Sequence, residues 1–152
     1  MTVLIIATAA SFISSVFATF FADRLLDERI AIVGRFIGLQ RTHNPGIAFS
    51  ITFPPLLQTF LIAAALVLVT IVAVRSIRGS HKPRAADYPA MSYGFILGGA
   101  LGNIVDRFGD GLVTDYFQVG TFPIFNVADS CITIGVALLL LDAVVDRFRA
   151  RS

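Results

Sequence analysis

Residues 3–22, VLIIATAASFISSVFATFFA, run for twenty positions without a charge, and a helix of that length at 1.5 Å per residue matches the roughly 30 Å hydrocarbon core of a bilayer. Three more apolar blocks follow. One runs from Pro54 or Gln58 to Val74, behind the diproline Pro54-Pro55 and ahead of Arg75. Another spans Tyr88 to Val105 and is interrupted by Gly94, Gly98, Gly99 and Gly102 before Asp106-Arg107. The last runs from Val127 to Val145, with Asp129 in its first turn. With 56% hydrophobic residues against 14% charged, the 152-residue chain lies outside the usual soluble range. The expectation is an all-α membrane bundle of four transmembrane helices, about 3–22, 56–74, 88–106 and 127–145, in one integral membrane domain. The first block lacks a Lys or Arg ahead of it and a small-x-small cleavage site behind it, so it reads as a retained helix and not a signal peptide.

The charges sit between and at the ends of the blocks. They form no basic stripe, which argues against nucleic acid as a partner despite the net charge of +2. Arg75, Arg78, Lys82 and Arg84 in the 75–87 connection, and Arg147, Arg149 and Arg151 in the tail, predict that both lie in the cytoplasm. An even number of spans then puts the N-terminus there too. The segments 23–55 and 107–126 fall outside, the second, counted from Asp106, with three Asp and one Arg. In the first, IAIVGRFIGLQR (residues 30–41), with Gly34 and Gly38 as breakers, reads as short strands or a hairpin near the membrane surface. In the second, LVTDYFQVGTFPIF follows a Gly-Asp-Gly turn and is again strand-like, which predicts a small extracytoplasmic β-rich subdomain. His43, His81 and Cys131 are too scattered for a zinc site, and no cofactor is called for.

Asp115 lies in the outer connection and Asp129 at the outer start of the fourth block, so both fall near one membrane face. Two close carboxylates at membrane depth cannot both be comfortable as anions and would share a proton. An aspartic protease uses such a pair, one carboxylate as general base toward water and the other as general acid toward the peptide carbonyl. Plainer readings stand beside it. Asn126 and Asp129 have capping-box spacing, Asp115 fits a solvated surface residue, and Asp106-Arg107 fits a local ion pair at a helix end. Cys131 reads as a small core residue.

GGALGNIVDR at 98–107, GLVTDYF at 111–117 and FPIFNVADS at 122–130 resemble the signature segments of bacterial lipoprotein signal peptidase, the signal peptidase II family. HNPGIAFS at 43–50 is similar to its upstream Asn-x-Gly-x-Ala-Phe segment, and Asp23 fits the family's first region. The resemblance implies that Asp115 and Asp129 are the catalytic dyad. It further implies that Asn44, Gly46, Asn103, Arg107 and Asn126 line or brace the site and that Asp23 supports it. The implied activity is removal of signal peptides from diacylglyceryl-modified prolipoproteins by cleavage before the lipidated cysteine. The implied setting is the bacterial inner membrane, with phospholipid around a chain functional as a monomer. The implied fold is a four-helix core with a β-rich cradle and a short surface helix over the site. One departure is the stretch Asp23-Arg24-Leu25-Leu26-Asp27, which lacks the family's usual Lys; Arg24 is the candidate to supply that charge. Two rival classes are a transporter or channel subunit, which calls for an ionisable group nearer mid-membrane, and an assembly protein without chemistry.

Overall fold

The computed structural model describes residues 1–47, 51–79 and 88–149. Four helices, α1 (Thr2–Leu25), α2 (Pro55–Gly79), α3 (Tyr88–Asp106) and α4 (Val127–Arg149), carry a small antiparallel sheet of β1 (Ile30–Val33), β2 (Ile37–Asn44) and β3 (Val113–Val119) in that spatial order. Lys82 and Arg84 of the basic connection, Arg151 of the tail, and residues 48–50 of the HNPGIAFS segment lie outside the described residues.

Three helices, α1, α2 and Val127–Phe148 of α4, are long and apolar enough to cross a membrane. Their large side chains face outward, among them Ile5, Ile6 and Phe17 of α1, Leu68 of α2 and Leu140 of α4. This is the reverse of a soluble bundle and suits helices whose solvent is lipid. The expected fourth span, α3, falls short by the same measure. Glycines, Tyr88, Pro89, Tyr93 and Asn103 dilute its apolar content, because α3 is enclosed by its neighbours and needs few lipid-facing side chains.

That enclosure depends on missing side chains. A Cβ at Gly98 would lie 1.8 Å from Ser11 Oγ and 2.4 Å from the Thr8 carbonyl oxygen on α1, so α1 and α3 meet backbone to backbone, as small-residue seams allow. Ser11 Oγ adds a hydrogen bond to the Gly94 carbonyl at 3.3 Å. On its other side α3 packs on α4, where Gly99 abuts the Ala128 carbonyl. A rigid α1–α3–α4 core results, with α2 packed on α3.

The sheet grows out of the helix ends. Gly34, at φ +52°, makes the β1–β2 turn. Gly38 is not a breaker: it sits inside β2, where the Arg29 guanidinium and the Ile30 carbonyl leave no room for a Cβ. β3 follows the Gly109-Asp110-Gly111 turn, in which Asp110 Oδ1 accepts from the Leu112 amide at 2.9 Å. Antiparallel pairing sets Asp115 opposite Thr42 and Asn44 opposite Val113. No surface helix is present among the described residues between β2 and α2; residues 45–47 and 51–54 are irregular.

Candidate active site

Four elements converge below the sheet. β3 carries Asp115, β2 ends on Asn44, the last turn of α3 carries Asn103, and Asn126 and Asp129 stand at the start of α4. Asp115 and Asn126 are almost completely buried, 2% and 1% exposed. A buried amide or carboxylate is costly unless its polar atoms are paired, and here they pair with one another.

Asp115 accepts from two amides, Asn44 Nδ2 to Oδ2 at 3.0 Å and Asn126 Nδ2 to Oδ1 at 2.9 Å. Asn126 Nδ2 also lies 3.0 Å from Asn103 Oδ1, and Asn103 Nδ2 donates to Asp129 Oδ1 at 2.9 Å. The two carboxylates are thus joined through Asn126 and Asn103. Asn126 Oδ1 meanwhile accepts from the Asp129 backbone amide at 2.8 Å, and Asp129 Oδ2 lies 3.4 Å from the Asn126 amide nitrogen. This is the reciprocal capping pattern expected from the spacing. Capping and site building are therefore one arrangement: the Asn126 oxygen holds the helix while its nitrogen reaches Asp115.

Burial pushes the Asp115 carboxyl up to about 6, and the Asp129 charge adds to the rise, against the amide donations of Asn44 and Asn126 and the Arg107 charge. Asp129 lies in the first turn of α4, where the helix N-terminus favours negative charge. It is also the carboxylate that interacts most strongly with Arg107. The pair is electrostatically unlike, one member in the sheet and buried, the other on a helix end facing a cation.

Arg107 does not pair with Asp106 as a local ion bridge. Its Nη1 and Nη2 donate to the carbonyls of Asn103 at 3.1 Å and Gly46 at 2.5 Å, and its Nε is buried with no partner among the described residues. Asp106 instead accepts from the Thr114 amide at 2.7 Å, tying the end of α3 to β3. Tyr116 Oη accepts from the Val127 amide at 3.2 Å and braces the start of α4.

Asp23 is not brought to this cluster. Its carboxylate is at the exposed end of α1 and interacts electrostatically with Asp106. Arg24, in the last turn of α1, lies over the Phe20 ring, 4.1 Å from its centroid. A second cation near that helix end is Arg41 of β2, which donates to the Asp23 carbonyl and pairs with Asp27 at 3.5 Å. Cys131 is partly buried and free. No group of His, Cys, Asp and Glu fit to hold a metal occurs among the described residues.

Asp115 and Asp129 open on a cavity of about 900 Å³ between α2, α3 and α4. Its polar lining is concentrated toward one end, at Asn44, Asn103, Arg107 and the two carboxylates; the remainder is largely apolar, from Leu61 and Val69 of α2 to Ile96 of α3 and Ile132 of α4. From Arg107 to Ile96 the wall extends about 16 Å along α3 at 1.5 Å per residue. Gln58 escaped the sequence reading; it is buried and bonds the Pro45 carbonyl at 2.8 Å. Its signal was available as an amide inside an otherwise apolar block.

The sequence profile of the family described as Signal peptidase (SPase) II matches residues 3–145. A lipoprotein signal peptidase of Brevibacillus brevis is 42% identical over 127 residues, covering 80% of this chain and 79% of that one. Its counterpart in Moorella thermoacetica is 34% identical over 113 residues, covering 74% and 72%. A solved bacterial membrane enzyme shares the fold with a TM-score of 0.80 at 22% identity, over 97% of this chain and 90% of that one.

Proposed function

Because the chain belongs to the signal peptidase II family, whose members remove signal peptides from prolipoproteins, we propose that it does so as an aspartic endopeptidase with Asp115 and Asp129 as the dyad. The observation that carries this reading is the amide-linked pair of carboxylates at the polar end of a long apolar cavity. Asp115, buried and held up to about 6, keeps the shared proton and acts as general acid. Asp129, beside Arg107 and the helix N-terminus, is the general base that takes a proton from water. Attack on the scissile carbonyl gives a tetrahedral species whose oxygen receives the Asp115 proton. As the C–N bond breaks, the proton gained by Asp129 goes to the departing amine and a hydroxyl proton of the tetrahedral species returns to Asp115, restoring the shared proton.

The signal peptide's apolar stretch occupies the cavity wall of α2, α3 and α4, and α3 crosses the membrane as a fourth, enclosed span. Asn44, Gly46, Asn103, Arg107 and Asn126 brace the dyad, while Asp23 supports the end of α1 at a distance from it. The substrate is a prolipoprotein whose cysteine carries a diacylglyceryl group, and the enzyme works as a monomer surrounded by phospholipid. At roughly 0.8 kcal/mol per buried CH₂, acyl chains left in the bilayer hold that cysteine at interface depth, so the bond before it meets the carboxylates. Two fusions of one prolipoprotein to the same membrane-spanning signal helix, lipidated and unlipidated, test this with purified protein. Cleavage before the cysteine is expected for the lipidated fusion, at a saturated rate at least about tenfold above the unlipidated one. Equal saturated rates would mean that the lipid only delivers substrate. A product beginning elsewhere would overturn the reading.

Both termini lie in the cytoplasm and the dyad near the extracytoplasmic face, a reading supported by Arg75 and Arg78 toward the end of α2 and by Lys82 and Arg84 in the sequence before α3. A reporter active only outside the cytoplasm should be active when fused after Gly120 and inactive after Gly79. The reverse pattern would put the carboxylates on the wrong face for a signal peptide.

A further inference from the structure

We infer that Gln58 is a positioning residue of the active site, orienting the Asp115 carboxylate through the Pro45–Gly46 peptide and the Asn44 side chain; the inference rests on the dyad reading above. Gln58 stands in the first turn of α2. Its Nε2 donates to the Pro45 carbonyl at 2.8 Å and its Oε1 accepts from the Phe53 amide at 3.3 Å. Neither bond is made to the helix itself. Both amide atoms are spent on the segment between β2 and α2, one where that segment leaves β2 and one where it approaches α2. Within it, the Ile47 amide bonds the Ile51 carbonyl at 2.9 Å.

The Pro45 carbonyl and the Gly46 N–H belong to one peptide unit. That unit is planar, and in the trans form its C=O and N–H point in opposite directions; no peptide bond among the described residues is cis. Holding the carbonyl oxygen against Gln58 therefore sets the direction of the Gly46 N–H. That N–H donates to Asn44 Oδ1 at 2.8 Å. With its oxygen so engaged, the Asn44 amide has one orientation left, and its Nδ2 meets Asp115 Oδ2 at 3.0 Å. The next carbonyl, that of Gly46, is gripped by Arg107 Nη2. Consecutive peptides are thus held from α2 on one side and from the end of α3 on the other, with little freedom left for rotation between them.

A Gln that only stabilised the start of α2 would affect the amount of folded protein and nothing else. The relay instead makes the ionisation of Asp115 depend on Gln58. The groups facing Asp115 are Asn44 from β2, Asn126 and Asp129 at the start of α4, and Arg107 after α3. Of these, Asn44 is reached from Gln58 through the Pro45–Gly46 peptide itself, and Arg107 only through the following carbonyl, that of Gly46. A donor to the carboxylate stabilises its charged form. When Asn44 swings free, Asp115 holds its proton to higher pH, and the alkaline limb of kcat/KM, which reports loss of that proton in the free enzyme, moves up.

The test is kcat/KM against pH for the full-length purified protein on a diacylglyceryl-modified prolipoprotein. Q58M keeps side-chain length and removes both bonds. Q58E, when ionised, keeps an acceptor for the Phe53 amide and loses the donor to Pro45. Each should move the alkaline limb up by about half a unit and lower the plateau about tenfold. T59V, altering a neighbour whose hydroxyl bonds the Pro55 carbonyl in its own helix, should reproduce the wild-type profile. N44A should show the same displacement, and Q58M added to N44A should displace it no further, since a shared relay is not additive. The limb's position is independent of the fraction of folded enzyme, so poor accumulation of one variant does not blur the result, and Q58E carries the test if Q58M yields no active protein. A limb that stays with wild type in the Gln58 variants, or displacements that add in the double variant, would overturn the inference. D115N assayed alongside separates the two levels: if it cleaves normally, the dyad reading fails; if it is inactive while Q58M and Q58E keep the wild-type limb, only the role of Gln58 fails.

Discussion

D129N and D115N should each keep the fold and lose at least about 10⁴-fold in turnover of a diacylglyceryl-modified prolipoprotein, as expected when one member of a cooperating catalytic unit is removed. The replacement is nearly isosteric, and an amide can neither take the proton from water nor return one to the leaving amine. D129N is the more discriminating of the two. Asn126 Oδ1 would still accept from the backbone amide of residue 129, so the cap of α4 survives and capping is separated from chemistry. D115N has a second signature. Burial raises this carboxyl in the folded protein from its ordinary 3.8 to about 6, so the native state binds the proton more tightly than the unfolded chain does. Its stabilising contribution is full below the unfolded value and is lost as pH rises through about 6. The melting temperature of the wild type should therefore fall across that interval relative to D115N. D142N and D146N, on the distal half of α4, should leave turnover unchanged. Near-wild-type turnover by either dyad variant would remove that carboxylate from the mechanism.

N126D should lower kcat by roughly 10²–10³-fold while leaving the melting temperature close to wild type at acid pH, where the new carboxyl keeps its proton. Hydrogen bonds to charged groups in a preorganised site carry effects of about this size. Asp is as good a helix cap as Asn, so the oxygen that accepts from Asp129 is retained. The nitrogen that donates to Asp115 and links to Asn103 is not. In its place a third carboxylate meets two others in a buried cluster, and the pair no longer shares one proton in a defined way. N126A should lose comparable activity and also about 1 kcal/mol of stability, since it forfeits the cap. Thermal denaturation beside single-turnover cleavage resolves the two. If N126D and N126A destabilise equally, or if N126D retains activity, Asn126 is only a cap.

Much of the architecture was legible because lipid is a demanding solvent. Long runs without charge leave few alternatives to helices, and the blocks starting at Val3, Pro54, Tyr88 and Val127 correspond to α1, α2, α3 and α4. The short alternating segments around Ile30–Asn44 and Val113–Val119 carried a weaker signal, yet Gly34 and Gly111 at their turns require the positive φ they adopt. Gly38 misled for a physical reason: a glycine that makes room for an arginine in a strand has the same letter as one that breaks it.

By itself, then, the sequence determined the long apolar blocks, the turns at Gly34 and Gly109–Gly111, and the presence of Asp115 in a strand-like segment and of Asp129 in the first turn of the fourth block, since each depends on local composition or spacing. Tertiary structure alone decided that Asn126 and Asn103 join those carboxylates, that Arg107 holds Gly46 and leaves Asp106 to Thr114, that Asp23 stays apart, and that Gln58 reaches Pro45. An amide's partners follow from where its polar atoms are carried when helices and strands close on each other. The pairing of buried polar groups is therefore a property of the packed chain and of no single segment.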